Sequence, residues 1–427
     1  MEASKFYIET FGCSMNISDS ELIADQLIRK GLKISSLEQA DVIVVNTCAV
    51  KEPTESKVIS LLKKINTLNK IKIVAGCLPR INLDRIKEAI PTFDAVLSPS
   101  SYMKLGGVVD RIRKGEKGLI VFEESAIPLM RKFQVQQTVG IIPIAYGCLS
   151  RCAYCCVRFA RGRLSSYHLN QILEYADKLV KRGVSEIWLT AQDTAAYGAD
   201  INSDLSELLT KINLTDGDFK VRVGMMNPEN AYKILPSLLS AYKGEKIYKF
   251  LHLPVQSGDE QVLNNMNRGY SIQNFEEIIG KFRINFPQIT ISTDIIVGFP
   301  GETEHQFEKS LKLIESIRPD IVNISRYGDR PKAPSTKLEN KLKGSVIKSR
   351  SRLMTRLVEE VSLRNNSRWV GWVGEAKVIE EAPKGGYLAR NFAYKPILII
   401  KGDLKLGGKY TIQIKDCRPG YLIGDVA

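Results

Sequence analysis

Residues 146–156 read YGCLSRCAYCC and hold four of the chain's eight cysteines. Three of them, Cys148, Cys152 and Cys155, are spaced CxxxCxxC directly after an apolar run. Structural zinc takes four ligands, usually in paired spacings, and the fourth here would be Cys156 or a distant His. Three thiolates suit instead a four-iron four-sulfur cluster that keeps one iron open for another ligand. The first residues, MEASKFYIET, lack the charged and apolar segments of a secretion signal, and no run reaches the roughly 18–20 apolar residues of a membrane span. The expectation is a cytoplasmic protein without a membrane segment, in which clustered cysteines bind metal or react rather than pair as disulfides.

Three further cysteines share one kind of position. Cys13, Cys48 and Cys77 close the runs FYIETFGC, DVIVVNTC and IKIVAGC, which read as strands buried on both faces. Between the first two lies SDSELIADQLIRKG, where Ser18 and Glu21 form a capping box and Gly31 a stop, so a helix is predicted there. Alternating strands and helices imply a parallel sheet, and ligands of such sheets gather beyond the carboxyl ends of the strands. The three thiols are thus expected to converge, the alternative being three small buried hydrophobes.

After an irregular, charged stretch near 113–138 a second alternating region begins. Its predicted strands are 139–147, 186–193, 219–227, 248–256, 289–300 and 320–327, with helices at 203–213, 230–241 and 303–316. About six strand-helix units suggest a partial (β/α)6 barrel with its site at the strand C-termini. A basic helix over 343–366 precedes a β-branched and aromatic segment punctuated by GG pairs, which reads as a small antiparallel β-barrel. The fold class is α/β throughout its first two regions. With 61 Lys and Arg against 47 Asp and Glu, the net charge of +14 favours a polyanionic partner such as RNA.

CLSRCAYC resembles the cluster motif of the radical S-adenosylmethionine (SAM) superfamily. GCSMNISDSE, VVNTC and AGC resemble the additional cysteine triad of its methylthiotransferases. Within those, ARGRLSSY (160–167), EIWLTAQDTAAYGAD (186–200), LHLPVQSG (251–258) and TDIIVGFPGET (293–303) are most similar to the archaeal and eukaryotic branch, which acts on threonylcarbamoyladenosine at tRNA position 37. The resemblance implies two 4Fe-4S clusters, one on Cys148, Cys152 and Cys155 that cleaves SAM to a 5'-deoxyadenosyl radical, the other on Cys13, Cys48 and Cys77 that handles sulfur. One SAM donates a methyl to sulfur, and a second makes the radical that takes hydrogen from the aromatic C2 of the base. That carbon has no acidic proton, so radical chemistry is needed.

The resemblance further implies a monomer that meets the tRNA anticodon loop at adenosine 37 and an electron-donor protein. It divides the chain into a methylthiotransferase N-terminal domain (1–125), a radical SAM core (134–366) and a TRAM RNA-binding module (367–427). Asp193, Asn227, Gly298 and His252 are the expected SAM neighbours, each also open to a plainer role as cap, loop or core residue. Arg161 and Arg163, near the cluster motif, are candidates to meet SAM or phosphate, the alternative being an exposed, solvated pair. Arg390, Asn391, Phe392 and Tyr394 mix cationic and aromatic groups suited to phosphate contact and base stacking, and Lys341, Lys343, Lys348, Arg350 and Arg352 extend a basic track.

Two positions depart from the family pattern: Cys156 has no place in the three-ligand motif, and RPKAPS (330–335) carries Lys332 where Gly is commoner. The alternatives are a methylthiotransferase acting on isopentenyladenosine in tRNA or on a ribosomal-protein aspartate, and a non-catalytic, zinc-holding RNA-binding protein.

Overall fold

Val42 to Val45 alternate strictly between two cores. Val42 and Val44 pack with Phe6, Leu22, Leu27 and Tyr102, whereas Ile43 and Val45 pack with Val58, Leu62 and Ile86. A strand buried on both faces belongs in the middle of a parallel sheet covered by helices, and each such side chain contributes about 1.5–3 kcal/mol by leaving water. A computed structural model describes residues 4–135 and 138–427. It forms two compact units, one of Met1–Val135, Tyr146–Ser165 and Gly328–Thr336, the other of Gln136–Ala145, Ser166–Tyr327 and Lys337–Ala427.

The first unit is built on strands β1 (Lys5–Thr10), β2 (Lys33–Ile34), β3 (Val42–Thr47), β4 (Ile71–Gly76), β5 (Ala95–Leu97) and β6 (Leu119–Val121). They form one parallel sheet in the order β2-β1-β3-β4-β5-β6. The three strands that precede Cys13, Cys48 and Cys77 are therefore neighbours. The helix after β1 spans Ser14–Arg29 with Cys13 at its N-cap, four residues before the predicted start. Ser18 and Glu21 lie buried inside it, so they are not a capping box; the helix does end just before Gly31, as predicted.

In the second unit β7 (Val139–Pro143), β8 (Glu186–Thr190) and β9 (Lys220–Val223) form one parallel trio, and β10 (Phe250–His252), β11 (Thr290–Val297) and β12 (Ile321–Arg326) form another. The trios join where Tyr248 N donates to Val221 O and Met226 N to His252 O, each at 2.9 Å. The six strands are those predicted, but each stops short of its apolar run because the chain leaves the ladder to form site loops. The helix expected over 230–241 is two, Pro228–Lys233 and Leu235–Ala241, with Pro236 in the first turn of the second.

Five strands, β13 (Val373–Glu381), β14 (Tyr387–Asn391), β15 (Pro396–Ile399), β16 (Lys409–Arg418) and β17 (Tyr421–Val426), close a barrel in the order β13-β14-β15-β17-β16. All its pairs are antiparallel save β15 with β17. Lys395 fastens it to the β10–β12 half, donating to Asp320 Oδ1 at 2.7 Å and Asn366 Oδ1 at 2.8 Å. No helix among the described residues is long and apolar enough to cross a membrane.

Candidate functional site

Parallel pairing carries the three strand ends to one place. Phe11 N donates to Asn46 O and Cys77 N to Thr47 O, both at 2.9 Å, so Cys13, Cys48 and Cys77 follow three adjacent ladders. A Cβ placed on Gly12 would stand 2.9 Å from Cys48 Cβ. Asn16 locks the first helix there, its Nδ2 donating to Thr47 O at 3.0 Å while its Oδ1 accepts from Cys13 Sγ at 3.5 Å. Asn46 returns bonds of 2.8 Å to Asn16 O and Ser20 Oγ. The expected convergence is therefore built by backbone register and two asparagines.

The second triad belongs to the same compact unit, because 146–165 packs with the first 135 residues. Gly147 permits the turn into it: its φ is +73°, and a Cβ there would lie 1.8 Å from Arg163 O, so only glycine fits. Cys148 N then donates to Gly162 O at 3.3 Å and Cys155 N to Cys152 O at 3.1 Å, closing the loop. Val157 N donates to Cys155 Sγ at 3.4 Å, a contact that favours thiolate. Cys156 turns the other way, into the core beside Ala49 and Cys77, with its thiol donating to Ala49 O at 3.4 Å. The extra cysteine is an anchor holding the 148–156 loop against the residue after Cys48.

Cys48, Cys77 and Cys155 are poor thiolates unless a cation joins them. Burial, then Arg161 in opposition and the charges of Cys48 and Cys13 in support, leaves the Cys77 thiol pushed up to about 12. Burial also raises Cys48, with Cys13 adding to it. Cys155 is raised well above the ordinary thiol range by burial and then by Cys152, Cys156 and Cys148. Each triad is a set of mutually repelling soft ligands, the donor chemistry an iron-sulfur cluster satisfies. Among the described residues no three His, Cys, Asp or Glu groups are set to hold a single metal ion. A cuboidal cluster takes each thiolate on a different iron and so accepts a wider set.

Arg330, on the 328–336 segment of this unit, reaches the same region. Its Nη1 donates to Glu55 Oε2 at 2.6 Å and Ala49 O at 3.3 Å, and Arg85 meets the other Glu55 oxygen at 2.6 Å. Lys332 has φ +71°, in the left-handed region that favours glycine. Ser335 N donates to Ala153 O at 2.9 Å, backing the loop between Cys152 and Cys155.

The four residues expected to meet SAM lie at strand ends of the second unit. Asp193 caps the short turn after β8; its Oδ1 accepts from Ala195 N and Asn227 N at 3.1 and 2.9 Å, and its Oδ2 from Asn230 Nδ2 at 2.7 Å. Burial raises its carboxyl while these donors pull it down. Asn227 caps the helix Pro228–Lys233. Gly298 has φ +81°, a Cβ on it would meet Ile347 Cγ1 at 2.6 Å, and its N–H donates to Glu302, itself paired with buried Arg350 at 2.8 Å. Arg350 is therefore no part of a basic track, whereas Lys341, Lys343, Lys348 and Arg352 are exposed. His252 Nε2 lies 2.9 Å from Asp294 Oδ1, which also accepts from Asn323 Nδ2 at 2.7 Å. These three stand on β10–β12 with Leu251 and Leu253 fully buried on the alternate face. Asp294 and Asn323 escaped the sequence reading because pairing across strands is not written in either run.

Of the expected RNA-contacting residues, Asn391 and Tyr394 are buried. Asn391 Oδ1 accepts from Ala393 N and Lys395 N, both at 3.1 Å, and the Tyr394 ring packs 4.9 Å from both Tyr248 and Phe250 beneath Arg390. Arg390 and Phe392 are half-buried and line a cleft with Lys220, Lys377, Lys409 and Trp372. Burial, then the charge of Lys409, holds Lys220 below the ordinary lysine range, against the opposing charges of Glu375, which also lines the cleft, and of Asp218, which pairs with Lys377 at 3.3 Å and Lys409 at 2.8 Å.

Residues 5–98 match a family described as Uncharacterized protein family UPF0004, and residues 142–314 match the Radical SAM superfamily. The chain is 40% identical over 427 residues, 99% of each chain, to the probable threonylcarbamoyladenosine tRNA methylthiotransferase of Pyrococcus horikoshii. It is 32% identical over 436 residues to the threonylcarbamoyladenosine tRNA methylthiotransferase of Xenopus laevis, covering 98% of this chain and 76% of that one. Among solved structures, the radical S-adenosylmethionine methyltransferase TsrM from Kitasatospora setae aligns with a TM-score of 0.60 at 11% identity, over 90% of this chain and 80% of that one, a likeness of fold alone. With identity sustained end to end and two cysteine triads at the strand ends of one unit, the chain belongs to the threonylcarbamoyladenosine tRNA methylthiotransferases of the radical SAM superfamily.

Proposed function

We propose that the protein converts N6-threonylcarbamoyladenosine at position 37 of tRNA to its 2-methylthio derivative, with one SAM as methyl donor and another as radical source. The observation that carries this is the full-length likeness to relatives of that name from archaea and animals. When bound, the clusters and SAM supply one-electron chemistry able to take hydrogen from an aromatic carbon and put sulfur in its place. Cys148, Cys152 and Cys155 hold one cluster in the loop that Gly147 opens and Cys156 anchors. Cys13, Cys48 and Cys77 hold the other. Asp193 has its oxygens engaged and positions the strand-end loop, while Asn227, the Gly298 turn and His252, oriented by Asp294, present the SAM-facing edge. Nucleoside mass spectrometry of tRNA from cells with and without the protein tests the reading: the 2-methylthio nucleoside disappears without it, and its persistence would refute the substrate.

The tRNA backbone runs over the Lys220, Lys377, Lys409 and Arg390 cleft, with Phe392 and Trp372 as stacking surfaces. Each lost phosphate contact flattens the plot of log affinity against log salt by about 0.7–0.9. Lys220→Gln with Lys409→Gln should therefore flatten it by about 1.5 and weaken tRNA binding at low salt. An unchanged slope places the RNA elsewhere.

A further inference from the structure

Arg161 closes the helix Val157–Arg161, which directly follows the cysteine motif, yet its side chain is only 2% exposed and lies against the other triad. Its Nη2 donates to Asp19 Oδ2 at 2.6 Å and to Asn16 Oδ1 at 3.4 Å. That same Asn16 oxygen accepts from Cys13 Sγ, so guanidinium and thiol are joined through one atom.

The guanidinium cannot turn away. Asp19, fully buried, receives Arg161 on one oxygen and Tyr146 OH on the other at 3.1 Å, and Arg131 Nη2 holds Tyr146 from behind at 3.1 Å. Nη1 of Arg161 is nonetheless buried and has no acceptor among the described residues. A buried cationic donor left unpaired calls for an explanation. The side chain is too enclosed to serve an RNA phosphate, and the Asn16 oxygen it shares with Cys13 Sγ sets it beside the sulfur that this triad would hold.

We propose that Arg161 Nη1 donates a hydrogen bond to sulfur of the cluster held by Cys13, Cys48 and Cys77 and raises the potential at which that cluster accepts an electron. The inference rests on the assignment of those three cysteines. Hydrogen bonds to cluster sulfur and nearby positive charge both favour the reduced, more negative state. Arg161 is thus a positioning and tuning residue, carried by the loop of one triad to serve the other.

The test uses the full chain with Cys148, Cys152 and Cys155 changed to alanine, reconstituted anaerobically with iron and sulfide so that one cluster remains. Its potential is read by EPR during titration with dithionite, beside Arg161→Lys, which keeps a cation for Asp19, and beside Arg161→Gln combined with Asp19→Asn, which leaves no acid unpaired. Both variants should shift to more negative potential, the double variant further. In the unsubstituted Arg161 protein labelled with 15N-arginine, pulsed EPR of the reduced cluster should show coupling to a guanidinium nitrogen, a readout independent of how the variants fold. No coupling, or equal potentials at equal iron content, overturns the proposal while leaving the cysteine assignment intact. A parent that binds no cluster overturns that assignment and the proposal with it.

Discussion

Cys148→Ala is expected to abolish formation of 5'-deoxyadenosine from SAM, whereas Cys13→Ala keeps that reaction and lowers methylthiolated tRNA by more than about 100-fold, a loss at or beyond the upper end of metal-site perturbations. The contrast follows from how the triads are built. The first is closed by backbone bonds, Cys148 N to Gly162 O and Cys155 N to Cys152 O, and fixed by Cys156 in the core, none of which involves Cys13. The second is set by the β1-β3-β4 register and the Asn16 and Asn46 side chains, none of which needs the Cys148 sulfur. Each variant should therefore fold and retain about four of the roughly eight irons of two four-iron clusters. Product analysis by mass spectrometry, alongside iron and sulfide assay, checks both halves. Full methylthio product from Cys13→Ala would remove the second cluster from those cysteines, and continued 5'-deoxyadenosine from Cys148→Ala would remove the first.

What could be read from the sequence was local or periodic. The six strands of the second unit and the convergence of Cys13, Cys48 and Cys77 followed from apolar runs ending at a common position, which parallel register turns into adjacency. The missed helix start at Ser14 has a physical cause: Cys13 caps it without a side-chain bond, while Ser18 lies buried inside the helix with its hydroxyl unpartnered among the described residues and Glu21 accepts from Val135 N at 3.0 Å instead of closing a cap. A signal went unused in F-G-C, A-G-C and Y-G-C, where Cys13, Cys77 and Cys148 each follow a glycine of positive φ. Pairings made across elements were not legible. His252 with Asp294, Arg161 with Asp19 and Arg350 with Glu302 lie 42, 142 and 48 residues apart. The same holds for Asn391 and Tyr394: their composition suits RNA, but only packing reveals that both are enclosed.

Enclosure also decides what Arg330 does. Glu55 is fully buried and its two oxygens are shared between Arg330, 8% exposed, and Arg85, 37% exposed. Arg330→Met removes the buried donor to Glu55 Oε2 and one of the two donors to the Ala49 carbonyl, whereas Arg85→Met removes a partner that water largely replaces on an oxygen that Asn82 Nδ2 still holds at 3.1 Å. Breaking a buried pair costs about 3–5 kcal/mol, an exposed one about 0–1. At about 2–4 °C per kcal/mol for a unit of this size, Arg330→Met should lower the unfolding midpoint of the cluster-free protein by at least about 6 °C and Arg85→Met by a few degrees at most. The consequence reaches the chemistry because the same segment backs the cluster loop through Ser335 N and Ala153 O. Arg330→Met should then load iron on the Cys148 triad less completely than Arg85→Met when both are reconstituted well below their midpoints. Equal midpoints for the two variants would mean that Arg85 alone compensates Glu55, and the clamp on the cluster loop would have to be sought in Cys156 instead.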